Sequence, residues 1–275
     1  RDFITGEWVS SAQFVVEYEV EEEEIPEGTE NNGTETPENT VPETPENTPK
    51  RLTASMLDEN TDERDVKYII ADFSETINEK FGKVNFLVNG AGGNNPRATT
   101  DNEYQHEAKE GGKSFFDLEA SGVDFVFKLN FQGTLLPTQE FARDMVESKK
   151  GCILNISSMN AYIPLTKIPA YSAAKAAISN FTQWMAVHFA DVGIRVNAIA
   201  PGFFSTNQNK ALLFNEDGSY TPRSEKIIGH TPLGRFGVPE DLTGTLLFLS
   251  DETYSKFVTG VIIPVDGGFS AYSGV

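Results

Sequence analysis

The chain has 275 residues, enough for one large α/β domain, and 39% of them are hydrophobic, an ordinary share for a soluble protein. A formal net charge of −19 argues against nucleic acid and anionic membranes, which both need clustered cations, and no apolar run nears the roughly 20 residues of a membrane span. A single cysteine, Cys152, excludes an internal disulfide; within Gly151-Cys152-Ile153-Leu154 it reads as a buried, inert thiol, which suits a reducing cytoplasm.

The acidity is uneven: residues 1–50 hold 14 Asp or Glu against Arg1 and Lys50. The chain opens on Arg1 rather than Met, as a fragment or a trimmed chain would, with no signal-peptide pattern. Phe14-Val15-Val16-Glu17-Tyr18-Glu19-Val20 ends in apolar/polar alternation and predicts a strand. It runs into Glu21–Glu24 and then a tract in which Thr36-Pro37-Glu38-Asn39-Thr40 recurs as Thr44-Pro45-Glu46-Asn47-Thr48. Such a tract buries too little apolar surface to offset its ordering entropy, so residues 1–51 are expected to be a largely disordered leader or linker before a domain at 52–275. Val66, Ile69, Ile70, Phe73, Ile77 and Phe81 fall at helical spacing, with Thr61 or Asp62 as N-cap and Gly82 as stop. Val84–Val88 reads as a buried strand running into Asn89-Gly90-Ala91-Gly92-Gly93. A helix over about 117–148, kinked by Pro137, comes next. Then follow a strand at Ile153–Ser158, a helix at 171–191, a strand at Ile194–Ala200, a helix at 239–250 and a last strand at Val261–Val265 before Gly267-Gly268. Alternating short strands and helices imply a parallel sheet covered on both faces, with ligands beyond the carboxyl ends of its strands.

Tyr171 and Lys175 lie four apart, one turn along one helix face. A phenol is a poor acid or base at neutral pH, and a nearby ammonium moves it toward useful strength. Tyr-x-x-x-Lys alone recurs by chance. Here Ser158 stands at the end of the preceding strand and Asn130 in the long helix, in Lys128-Leu129-Asn130-Phe131-Gln132-Gly133. With Asn89-Gly90-Ala91-Gly92 and Asn197-Ala198-Ile199-Ala200-Pro201-Gly202, this order resembles the single-domain form of the short-chain dehydrogenase/reductase family over about 220 residues. The resemblance implies a Rossmann-like, doubly wound parallel sheet and an oxidoreductase that interconverts a secondary alcohol and a ketone with NAD or NADP. It gives Tyr171 the proton transfer, Ser158 a hydrogen bond to the reacting oxygen, Lys175 the tuning of the tyrosine and the nicotinamide ribose, and Asn130 a relay water. It assigns cofactor contact to Asn89, Gly90, Ala91, Gly92, Tyr171, Lys175, Pro201, Gly202 and Thr206.

The sequence departs from the family pattern at its start. The family's Thr-Gly-x-x-x-Gly-x-Gly turn, which brings backbone amides to a pyrophosphate, has no counterpart between Arg1 and Thr53, where Gly6, Gly28 and Gly33 are scattered. Its first strands are therefore expected to be missing or replaced, and Ser55 stands where an adenine-contacting Asp is usual.

Gly92-Gly93-Asn94-Asn95-Pro96, Ser157–Tyr162 and Tyr171–Ala190 look like the bacterial D-mannonate oxidoreductases (fructuronate reductases) of the same superfamily. On that likeness Asn94, Asn95, Asn160 and Asn207 are candidates for sugar hydroxyls, and Arg97, Lys167 or Arg223 for a carboxylate. The expected partner is then a small sugar acid or polyol. Phe203–Pro232 is the expected lid. His106, His188 and His230 have no ligand spacing, so no metal is expected. Apolar positions on helix 171–191 read as core, and the family's use of this helix between subunits implies a homo-dimer or tetramer. Two other readings stay open: an inactive remnant with a structural role, and an epimerase, which the short C-terminal region disfavours.

Overall fold

The computed structural model describes residues 14–17, 63–206 and 209–274, with residues 14–17 and 63–69 described by their backbone alone. The Thr/Pro/Glu repeat, the N-cap at Thr61 or Asp62, Ser55 and Asn207 lie outside the described residues. In chain order the elements are β1 (Phe14–Glu17), α1 (Glu63–Phe81), β2 (Phe86–Asn89), α2 (Ala120–Phe127), α3 (Gly133–Ser148), β3 (Gly151–Ile156) and α4 (Pro169–His188). They continue as β4 (Ile194–Pro201), α5 (Lys210–Leu213), α6 (Pro222–Gly229), α7 (Thr243–Ser250), α8 (Glu252–Ser255) and β5 (Ile262–Val265).

Strand order is β1-β2-β3-β4-β5. The strands from β2 to β5 run parallel, as the alternation of strands and helices predicts, with Leu87 opposite Ile153 and Ile153 opposite Val196. β1 joins the edge antiparallel, with Phe14 opposite Asn89 and Glu17 opposite Phe86. Residues 14–17 thus extend the sheet beyond β2. Among the described residues no helix is long and apolar enough to cross a membrane.

Side chains of a strand alternate between faces, and the two apolar clusters follow that period. Leu87, Ile153, Ile194 and Val196 pack with Ile70 and Ile77 of α1, Leu136, Phe141 and Met145 of α3, and Met185 of α4. Val88, Leu154 and Ile199 face the other way, onto Leu249 of α7. At about 25 cal/mol per Å2 of apolar surface, burying one such Leu or Ile contributes about 2 kcal/mol.

The expected long helix is interrupted. A π turn at Lys128–Gln132 separates α2 from α3, just ahead of Pro137, which lies buried inside α3. Pro137 has no N–H to give the Gly133 carbonyl one turn back. A π turn carries one extra residue per ring and turns Asn130 inward, where it is fully buried. The expected lid is not an unstructured loop. Leu213, Ile227 and Phe236 form their own small core with Phe203, Phe214 and Ile228, and the stem is closed by a bridge between Phe204 and Gly237.

Candidate active site

The chemistry-bearing residues gather at the carboxyl edge of the parallel strands. β2 delivers Gly90–Gly93, β3 delivers Ser157 and Ser158, β4 ends at Pro201 and Gly202, and α4 brings Tyr171 and Lys175 over the edge. The Lys175 side chain is buried, and its Nζ donates to the Ile156 carbonyl at 2.9 Å. It stands 5.7 Å from the Tyr171 ring centre. The Tyr171 ring packs among Ala98, Val126, Ala170 and Ala174, and its hydroxyl is hydrogen-bonded with Ser158. Asn130 braces the opposite wall: Nδ2 donates to the Gly93 and Val126 carbonyls, both at 2.7 Å, and Oδ1 accepts from the Gly93 amide at 3.3 Å. The Asn130 carbonyl accepts from the Thr134 hydroxyl at 3.0 Å. A Cβ on Gly92 would stand 2.8 Å from both Asn130 Oδ1 and Lys175 Nζ, so only glycine lets this loop approach the lysine. Five predicted residues, Gly92, Asn130, Ser158, Tyr171 and Lys175, are thus brought together.

The electrostatics differ from the expectation that Lys175 lowers the tyrosine. Burial pushes the Tyr171 phenol above its usual range, opposed by the Ser158 hydrogen bond. Burial also lowers Lys175 to about 8, because an ammonium out of water is disfavoured. Both residues are therefore biased toward their neutral forms.

Other predicted residues sit elsewhere. Asn89 turns into the core, where Nδ2 donates to Thr138 Oγ1 and Asn155 Oδ1, both at 2.9 Å, and Asn155 in turn donates to Thr182. Asn94 donates to Thr99, and Asn95, fully buried, accepts from the Arg97 amide. Asn94 Oδ1, Asn95 Nδ2 and Asn160 Oδ1 are buried polar atoms with no hydrogen-bond partner. Ala91 lies against Gly133, and Gly202 against Asp266, whose backbone a Cβ would meet at 2.6 Å. The Thr206 amide donates to Asn209 Oδ1 at 2.8 Å. Arg97 sits in a 3-10 turn under Gly122, Arg223 on the exposed side of α6, and Lys167 ahead of α4. The three histidines are apart: His106 in a 3-10 turn after β2, His188 stacked on Trp184, and His230 beside Phe269 and Tyr272.

Four residues escape sequence reasoning. Ser157 Oγ lies 3.2 Å from the Lys175 carbonyl and 2.7 Å from Ser179 Oγ, fastening α4 to the end of β3. Its place beside Ser158 was the available signal. Gly93 offers Asn130 both its amide and its carbonyl, and an ion pair joins Glu103 to Lys226; neither leaves a pattern in the sequence.

The residues present fit the nicotinamide half of a dinucleotide. A buried ammonium stands beside the candidate acid, as a group that binds a ribose hydroxyl would, and the Gly92 loop reaches that ammonium with no room for a side chain.

The family model described as enoyl-(acyl carrier protein) reductase matches residues 59–270. The chain is 62% identical over 207 residues to an uncharacterized oxidoreductase of Haemophilus influenzae, covering 75% of this chain and 73% of that one. A crystal structure from that species, provisionally named D-mannonate oxidoreductase and holding bound NAD, superposes with a TM-score of 0.72 at 61% identity, over 76% of this chain and 75% of the other. A gluconate 5-dehydrogenase from Burkholderia cenocepacia, in complex with NADP and tartrate, gives a TM-score of 0.60 at 28% identity, over 76% and 72% of the two chains. These relatives lend no support to an inactive structural remnant. The chain belongs to the short-chain dehydrogenase/reductase family and is by family an oxidoreductase that uses NAD or NADP.

Proposed function

We propose that the chain interconverts a secondary alcohol and a ketone on a sugar acid, D-mannonate and D-fructuronate being the pair, with Tyr171 as general acid and base. The observation that carries this is the convergence of Tyr171, Ser158 and Lys175 at one strand edge. The sugar-acid class is supported by the two neighbours named for mannonate and gluconate chemistry and by the unpartnered atoms Asn94 Oδ1, Asn95 Nδ2 and Asn160 Oδ1. Each buried group without a partner costs on the order of 1–3 kcal/mol, a cost that a polyhydroxylated ligand reaching it would relieve. We assign Asn207 to the same role from the sequence.

NAD(P) supplies hydride exchange with the carbon when bound, and this chain supplies the protons and the positioning. In the reducing direction Tyr171 gives its hydroxyl proton to the oxygen that becomes the alcohol. Its raised pKa keeps that proton available at neutral pH. Ser158 donates to the same oxygen, so that the developing charge meets donors already in place. Lys175 steadies the resulting phenolate, and its own proton is replaceable near neutrality because burial brings it to about 8. Asn130 holds the Gly92 loop against Lys175, and the second lone pair of its carbonyl is the acceptor for a relay water. Gly90, Ala91 and Gly92 on one side and Pro201, Gly202 and Thr206 on the other would hold the dinucleotide; Asn89 would act by fixing the strand beneath.

We further infer that two copies meet across α3 and α4, where Trp184 and Val187 are 55% and 80% exposed beside Val146. Light scattering of the purified chain reads this directly.

The test of the chemistry is Tyr171→Phe, which removes only the hydroxyl. Reduction of D-fructuronate should fall by about 10^3-fold or more while NADH binding, followed by fluorescence, stays near the parent value. Undiminished turnover in that variant would overturn the assignment.

A further inference from the structure

One charge arrangement, between the segment after β2 and the lid (together the mouth), is not used by the proton chemistry. Glu103, in the segment after β2, forms an ion pair with Lys226 of α6, which lies 123 residues further on in the chain. The carboxylate side chain is 28% exposed and the lysine 60%, so the pair spans the gap between that segment and the lid at the surface. A second cation acts on the same carboxylate, that of Lys167. The Thr100 amide donates to the Lys167 carbonyl at 2.9 Å, which ties the Glu103 segment to the chain leading into α4. Lys167 adopts a φ of 74°, a left-handed conformation unfavourable for an L-residue. It precedes Tyr171 by four residues, so their Cα atoms are at most about 14 Å apart. The carboxylate paired with Lys226 of the lid therefore belongs to a segment tied to the chain just ahead of the proposed acid. Lone exposed ion pairs contribute little to stability, so stability is a weak reason for this one.

We propose that Glu103 is a stand-in for the carboxylate of the substrate: in the free enzyme it occupies Lys226, and the carboxylate of the bound sugar acid displaces it. The inference rests on the sugar-acid reading above and names the residues that would enforce it. An ammonium serves a carboxylate as a point charge with rotatable donors, so it exchanges one carboxylate for another without a fixed fork geometry. The exchange moves the hold of Lys226 from the protein to the ligand and draws α6 onto an acid, while a neutral polyol leaves Glu103 where it is. Arg223, also on α6, is then not required for recognition.

The test compares D-mannonate with D-mannonamide, its neutral analogue, on the full chain with saturating dinucleotide. Glu103→Gln removes the competing charge and keeps the shape; Lys226→Met removes the proposed receptor. The ratio of KM for the acid to KM for the amide should fall about threefold in the first variant and rise about tenfold in the second. A role in holding the lid together would move both probes alike in each variant, leaving the ratio unchanged, and that result overturns the proposal. If the parent enzyme handles the amide as well as the acid, the sugar-acid reading itself falls, and this inference with it.

Discussion

The floor of the site, from Ser157 to Lys175, and its mouth, from Glu103 across to α6, hold their groups by different means. On the floor the partners are 18 and 19 residues apart, Ser157 with the Lys175 carbonyl and Lys175 with the Ile156 carbonyl, and they are buried on two elements packed together. At the mouth the partners come from segments 123 residues apart, their pairing lies at the surface, and the lid has a small core of its own. The contrast teaches how one scaffold separates tasks. Proton transfer needs groups fixed to a fraction of an ångström, which buried, short-range contacts provide. The recognition proposed for Lys226 would sit where exposed segments can change with little cost to the sheet.

Three substitutions sharpen that contrast. The largest effect is expected from Lys175→Met, which should lower activity by about 10^2-fold or more. It should also change the pH dependence of stability. Lys175 titrates at about 8 in the folded chain against an ordinary 10.5, so the folded state resists its proton. The parent should gain stability as pH rises from about 8 to 10.5, because there the unfolded chain binds the extra proton, and below about 8 the contribution is flat because both states are protonated. The full amplitude is on the order of 3 kcal/mol, and the methionine variant should show a flatter curve in urea midpoints across that interval. Gly92→Ala comes second. Its Cβ would press on Asn130 Oδ1 and Lys175 Nζ, and displacing that ammonium should reduce turnover by about 10- to 100-fold with the fold retained by circular dichroism. The smallest effect belongs to the surface segment that follows the lid. Arg235 binds Asp241 through two nitrogens, at 2.6 and 3.0 Å, but that pair is exposed. Arg235→Ala should leave the urea midpoint close to the parent value. A large loss there would show that the lid is as rigid as the floor.

The same division explains what the sequence discloses. Tyr171 and Lys175 are legible because a helix places residues four apart on one face, and Ser158 because it follows a short apolar run ahead of that pair. The parallel sheet follows from short apolar runs divided by helical spacing. The π turn at Lys128–Gln132 is not legible as such, since Asn130 is held there by the backbone of Gly93, 37 residues earlier. Asn89 reads as a ligand-facing residue at the end of a strand, yet its amide is taken by Thr138 and Asn155 from two other elements. Nor does anything local in Phe14–Glu17 announce that this strand will run antiparallel beside β2. Periodicity states which face is buried; it does not name the partner.

The amides of Asn89 and Asn155 also act as a checksum on alignment. The two residues stand opposite each other in the β2–β3 register, both fully or almost fully buried, and their hydrogen bonds continue to Thr182 on α4. Apolar neighbours would tolerate a slip of one strand past the other with little penalty, but a slip of one residue would turn the amide of the slipping strand to the opposite face and break the Asn89–Asn155 hydrogen bond. Because Ser157 and Ser158 follow directly on β3 and the Gly90–Gly93 loop directly on β2, this polar pair at the heart of an oily sheet fixes how far the two loops stand from one another.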